Sequence, residues 1–112
     1  GARCLVLGLT FKENCGDTRN TRVVDTVIGL ERYGVKVDVH DPWVAVEDAR
    51  AVLKRDLIHH PEPRDYDAIV VAVAHSTFRE LGLDGIRDFG KENAVLYDVK
   101  GIFEPGSVDG QL

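Results

Sequence analysis

Apolar and polar positions follow two rhythms along the chain, and the switches between them mark the elements. Ala2 to Leu7 is a compact apolar run closed by Gly8, the signature of a strand buried on both faces of a parallel sheet. Between Thr21 and Tyr33, residues Val23, Val24, Val27, Ile28 and Leu30 fall at helical spacing, with Asn20 or Thr18 as the cap and Gly34 as the stop. Val35, Val37 and Val39 alternate with Lys36, Asp38 and His40, a second strand that Asp41-Pro42 ends. Val46 to Leu57 predicts a helix with Val46, Ala49, Leu53 and Leu57 on one face. A Pro-containing loop over His59 to Arg64 leads to Ala68 to Ala74, the strongest strand signal in the chain. Ser76 is placed to cap a short helix with Phe78 and Leu81 turned inward, and Ile86 and Phe89 close a second short turn. Ala94 to Val99 is a last strand before Lys100-Gly101, and a weaker strand near Leu57-Ile58 is expected at the sheet edge.

Four strands alternating with helices predict an α/β fold: a Rossmann-like, doubly wound parallel sheet forming one three-layer domain over residues 1–112. With 44% hydrophobic residues the chain affords a packed core. The formal net charge of −5, from 14 basic and 19 acidic residues, argues against nucleic acid as a partner, which requires a basic field. No apolar run is long enough to span a membrane, and the opening residues do not form a signal peptide. Two cysteines, Cys4 and Cys15, make a disulfide framework improbable and point to a reducing cytoplasm. The chain opens without Met, which fits a piece of a longer protein.

In a doubly wound sheet, ligands bind beyond the carboxyl ends of the strands. Four segments of this sequence should meet there: Gly8 to Asn20, the Asp41 turn, the His75-Ser76 turn, and Asp98 to Gly101. The first is too long for a Gly-x-Gly-x-x-Gly turn and has only Gly8 and Gly16. It offers side chains instead: Lys12, Arg19, Thr18, Asn20 and Thr21, close to a helix start, where phosphate is favoured. Phe11 can cover a sugar or a base. The same residues also allow a plainer reading, with Lys12 and Arg19 as solvated charges paired with Glu13 and Asp17. Lys100 is either a ligand cation or an exposed loop lysine. Asp41 either holds a ribose hydroxyl or forms a turn with Pro42. His75 is by default a satisfied structural histidine. Cys15 has no nucleophile context. His59-His60 are adjacent and point apart on a regular element, so no metal site is expected.

The run Gly8-Leu9-Thr10-Phe11-Lys12-Glu13-Asn14-Cys15-Gly16-Asp17-Thr18-Arg19-Asn20-Thr21 strongly resembles the loop that opens the C-terminal, UDP-binding domain of the UDP-glucose/GDP-mannose dehydrogenase family. Val37-Asp38-Val39-His40-Asp41-Pro42, Val71-Ala72-Val73-Ala74-His75 with Phe78, and Tyr97-Asp98-Val99-Lys100-Gly101 agree in order and spacing. The Asp17-Thr18-Arg19-Asn20-Thr21 ending and Asp98-Val99-Lys100-Gly101 resemble the branch that oxidises UDP-N-acetyl-hexosamines. The resemblance implies an NAD-dependent oxidation of the sugar C6 alcohol to a carboxylate, through a covalent intermediate on a cysteine of a central region that this chain lacks. It implies that Phe11, Lys12 and Lys100 contact the UDP-sugar and that Arg19 reaches NAD, which is held mainly by an N-terminal domain. Neither a catalytic residue nor a metal ligand is implied within the chain, so it should be inactive alone. The partners implied are the UDP-sugar, the N-terminal NAD-binding and central domains, and further copies in a homo-oligomer. Gly16 stands where many of these relatives have Pro, which widens the backbone angles open to the loop. A non-catalytic nucleotide-binding or regulatory module of the same fold is the competing reading. A phospho-receiver would need an acidic cluster where Gly8-Leu9-Thr10 stands.

Overall fold

A computed structural model of the chain describes residues 2–10, 12–18 and 22–111. Strand β1 (Arg3–Leu7) is followed by helix α1 (Val23–Arg32), β2 (Lys36–His40), α2 (Val46–Leu53), β3 (Tyr66–Val71), α3 (Ser76–Arg87), β4 (Gly90–Asp98), a 3-10 turn (Pro105–Ser107) and β5 (Gly110–Gln111). The strands lie in the order β2-β1-β3-β4-β5 and every pairing is parallel. Chain order therefore reverses at the β1/β3 boundary, where the first strand's successor lies on one side and the third strand on the other.

The central strand β1 is buried on both faces, which explains its unbroken apolar run. Cys4 and Val6 face one core with Val23 and Val27 of α1 and Ala49 and Leu53 of α2. Leu5 and Leu7 face a second core with Ile69 and Val71 of β3, Phe78 and Ile86 of α3, and Leu96 of β4. Burying a side chain of this size stabilises by about 1.5–3 kcal/mol, so the two faces together pin the register of the central strands.

Several boundaries differ from the sequence expectation for physical reasons. Helix α1 begins at Val23 behind Arg22, whose own side chain makes no capping bond, so the cap position is not Thr18; Asn20 lies outside the described residues. Helix α2 stops at Leu53 because Lys54 turns left-handed (φ 62°) and returns its N–H to the Arg50 carbonyl. Leu57 still reaches the core, but from the loop, and Ile58, whose N–H bonds the Val39 carbonyl and whose carbonyl meets His40 Nδ1, forms no strand. Strand β3 ends at Val71; the Ala72 and Val73 amides turn back onto the Leu7 carbonyl. The two short turns expected after Ser76 are joined as α3 across a break at Gly82 (φ 71°, ψ 172°), and Leu81 before the break faces out, at 44% exposure. Strand β4 starts four residues earlier than expected, and β5 was not foreseen.

Candidate functional site

The reversal of strand order opens a cleft at the carboxyl edge. Its volume is about 310 Å³, and it is lined by Lys12, Glu13, Val73, Ala74 and Lys100. The apolar floor comes from the segment just after β3, and the two lysines come from the loops after β1 and β4. Among the described residues neither lysine has an ion-pair partner, although Glu13 shares the cleft. A depression of about 500 Å³ elsewhere mixes Arg64, Arg87 and Lys91 with Asp88 and Glu92 beside Gly90, the first residue of β4. That is the opposite edge, so the smaller cleft is the one placed where this topology binds ligands.

The β1 loop is fixed to this edge by a buried polar network. The Asp41 carboxylate, 4% exposed, takes the Leu9 N–H at 2.7 Å, the Trp43 N–H at 2.8 Å and the more distant Thr10 N–H at 3.4 Å. It also faces His75 Nε2 at 2.9 Å, with both side chains at 0% exposure. Asp41 is thus occupied by turn and loop, and the ribose reading gives way to the turn-forming one. Burial pushes its pKa up, but the bonds from His75, Leu9 and Trp43 outweigh that and hold it below its ordinary 3.8.

The His75 ring is fully committed. The Asn14 N–H donates to Nδ1 at 2.7 Å, so Nδ1 carries a lone pair and the ring is neutral with its proton on Nε2. That proton is directed at Asp41, with Thr10 Oγ1 a second acceptor at 3.3 Å. Thr10 in turn donates its hydroxyl proton to the Lys12 carbonyl at 2.7 Å. Trp43 stacks beside the ring at 6.0 Å and Phe78 tilts against it at 5.5 Å. The expectation of a satisfied structural histidine therefore fits His75. Ser76 does not cap its helix; its N–H and hydroxyl both donate to Asn14 Oδ1, at 2.8 and 3.1 Å.

Two glycines permit this packing. A Cβ on Gly8 (φ +105°) would sit 2.6 Å from the Val73 Cβ. A Cβ on Gly16 would sit 2.7 Å from the Trp43 carbonyl oxygen, so Gly16 serves a close approach; it is absent from the positive-φ glycines, and the wider angles are not used. The absent side chain of Gly8 makes room for Val73, not for a phosphate.

After β4, Asp98 holds the turn that carries Lys100. Its Oδ2 accepts the Phe103 N–H at 2.9 Å and Gln111 Nε2 at 3.0 Å, and Gly101 takes the left-handed angle (φ +67°) that reverses the chain. Sequence reading placed Lys12, Lys100, His75 and Asp41 at one edge, and all four are there; Phe11 and Arg19 lie outside the described residues. It missed Asn14, whose left-handed backbone (φ 52°) is the kind of position Asn favours. Cys15 is half-buried and unpaired. No group of three or more metal-ligating side chains occurs among the described residues, and no helix there is long and apolar enough to cross a membrane.

Residues 5–105 match the model of the UDP-glucose/GDP-mannose dehydrogenase family, UDP binding domain. The whole chain is 48% identical to a UDP-N-acetyl-D-glucosamine 6-dehydrogenase of Pseudomonas aeruginosa and 45% identical to one of Salmonella typhi, in each case covering 26% of the relative. A crystal structure of an NDP-N-acetyl-D-galactosaminuronic acid dehydrogenase from Methanosarcina mazei Go1 superposes with a TM-score of 0.77 at 26% identity, over 98% of this chain and 24% of that one. The chain thus spans about a quarter of the length of the curated relatives it matches.

Proposed function

Since the chain belongs to the UDP-glucose/GDP-mannose dehydrogenase family, we propose that its carboxyl-edge cleft grips the diphosphate of a UDP-sugar for an enzyme that oxidises the sugar C6 alcohol to a carboxylate. The observation that carries this reading is the pair Lys12 and Lys100, brought from two loops to one cleft at the strand-order reversal. A diphosphate is a dense anion, and a charge-assisted bond to it contributes about 1.5–3 kcal/mol when well formed. Identities of 45–48% to UDP-N-acetyl-D-glucosamine 6-dehydrogenases support a UDP-N-acetyl-hexosamine as the substrate class. Phe11 is assigned to the sugar-nucleotide and Arg19 to NAD on the sequence motif. NAD supplies the hydride acceptor and is assigned to a domain outside residues 1–112, which form the substrate-binding domain. Oligomerisation is likewise assigned to the longer protein. The unpaired thiols of Cys4 and Cys15 suit a reducing cytoplasm.

The division of labour gives this domain binding rather than chemistry. Val73 and Ala74 exclude water from one wall of the cleft, and the lysines neutralise charge that would otherwise stay hydrated. In the longer enzyme, Lys12→Ala should raise the UDP-sugar KM by about tenfold or more with a much smaller change in kcat. Unchanged KM and kcat would remove the assignment.

A further inference from the structure

We propose that His75 is a positioning residue for substrate binding: its neutral ring sets the backbone that carries Lys12. The inference rests on the reading that Lys12 meets the diphosphate. Both sides of the Lys12-Glu13-Asn14 segment end on this one ring. On one side the Lys12 carbonyl is bonded to the Thr10 hydroxyl, which lies beside Nε2; on the other the Asn14 N–H donates to Nδ1. The ring is itself aimed by Asp41 and walled by Trp43 and Phe78. Lys12 projects from an exposed loop segment, yet its backbone is referred to a side chain with no exposure at all. Asn14 closes the arrangement by tying the same segment to Ser76 at the start of α3.

The two ring nitrogens do different work, which makes the role separable from simple stability. Nε2–H partners a buried carboxylate, so its loss exposes the fold to an under-satisfied charge. Nδ1 partners an amide of an exposed residue that water can otherwise satisfy, so its loss loosens the loop while leaving the core intact. Asparagine places an amide oxygen near the Nδ1 position, and glutamine places an amide nitrogen near the Nε2 position. His75→Asn therefore keeps the acceptor for Asn14 and gives up the donor to Asp41; His75→Gln does the reverse.

The test measures three quantities on the 112-residue chain and both variants: UDP affinity by NMR titration, Asn14 amide exchange, and melting temperature. His75→Gln should melt close to the unsubstituted chain, exchange the Asn14 amide faster, and bind UDP about fivefold more weakly. His75→Asn should melt lower by about 4 °C or more, yet keep the Asn14 amide protected and bind UDP within about twofold while folded. Affinity losses that follow melting temperature across the two variants, or a His75→Gln protein with unchanged Asn14 exchange and UDP affinity, would overturn the proposal. Lys12→Ala separates the two claims. If it leaves UDP affinity unchanged, the diphosphate reading fails; if it weakens binding while His75→Gln does not, the positioning role alone fails.

Discussion

The two edges of one sheet treat charge in opposite ways. At the amino edge, Arg3 bonds Asp38 at 3.0 Å and Asp65 at 2.5 Å and lies 5.0 Å over the Tyr66 ring. Tyr66 donates to Asp38 at 2.7 Å, the Arg3 amide donates to Asp67, and Lys91 closes on Asp67 at 3.2 Å. Burial and the Asp38 carboxylate push the Tyr66 hydroxyl well above its ordinary value, so it stays a donor. At the carboxyl edge a buried His75–Asp41 pair anchors the loop, and Lys12 and Lys100 line a cleft. One edge spends its cations on its own carboxylates; at the other, among the described residues, Lys12 and Lys100 have no ion-pair partner. The two edges differ in how much cationic charge is left without a carboxylate partner, a difference that net charge alone would hide.

The largest effect expected from breaking this contrast comes from Asp41. Asp41→Ala removes the acceptor shared by His75, Leu9, Thr10 and Trp43 and leaves buried donors unpaired. The cost should be about 3 kcal/mol in urea denaturation; a loss under about 1 kcal/mol would show that the network is not what holds the loop. The pH dependence has a definite sign. The folded pKa of Asp41 lies below its ordinary 3.8, so its contribution is present above that value and lost as pH falls through the lower folded pKa. The acid limb of stability against pH should accordingly be shallower in Asp41→Asn than in the unsubstituted chain.

Next in size is the effect on ligand rather than on fold. Lys12→Ala and Lys100→Ala should each weaken UDP binding by about tenfold or more, with melting temperatures essentially unchanged because both side chains are exposed. The double variant should show losses that add within about 0.5 kcal/mol if the two lysines hold separate phosphate oxygens. Strong non-additivity by titration would instead mean that both serve one contact.

How far the sequence reveals these edges depends on whether the signal is local. The central strands are legible because each is an apolar run between turn formers, and Lys12 and Lys100 are legible because strand ends in this topology share an edge. Strand β5 is invisible in advance: Gly110–Gln111 has no apolar period, and its place comes from Gln111 bonding Asp98 and the Phe103 carbonyl. The early end of α2 is hidden for a related reason, since Leu57 sits at helical spacing although the backbone leaves the helix at Lys54. His75 and Asp41 are 34 positions apart, and only the strand register makes them a pair. Asp41 was ambiguous because Asp before Pro serves a turn as readily as a ribose, and burial decides it.

The smallest effect should come from the amino edge, and it sharpens the contrast most cleanly. Arg3 is about one-third exposed and its partners are similarly wet, at 35% for both Arg3 and Asp38 and 36% for Asp65. Ion pairs of that kind contribute about 1 kcal/mol or less each, because water screens them and ordering two long side chains offsets the attraction. Arg3→Ala should therefore lower stability by about 1 kcal/mol, with the loss shrinking in high salt as the remaining carboxylates are screened. Its UDP affinity should match the unsubstituted chain, since Arg3 opens β1 at the end opposite the cleft. An Arg3→Ala protein that binds UDP as poorly as Lys12→Ala would mean that the nucleotide feels the whole domain's charge rather than a local pair, and the distinction between the two edges would not hold.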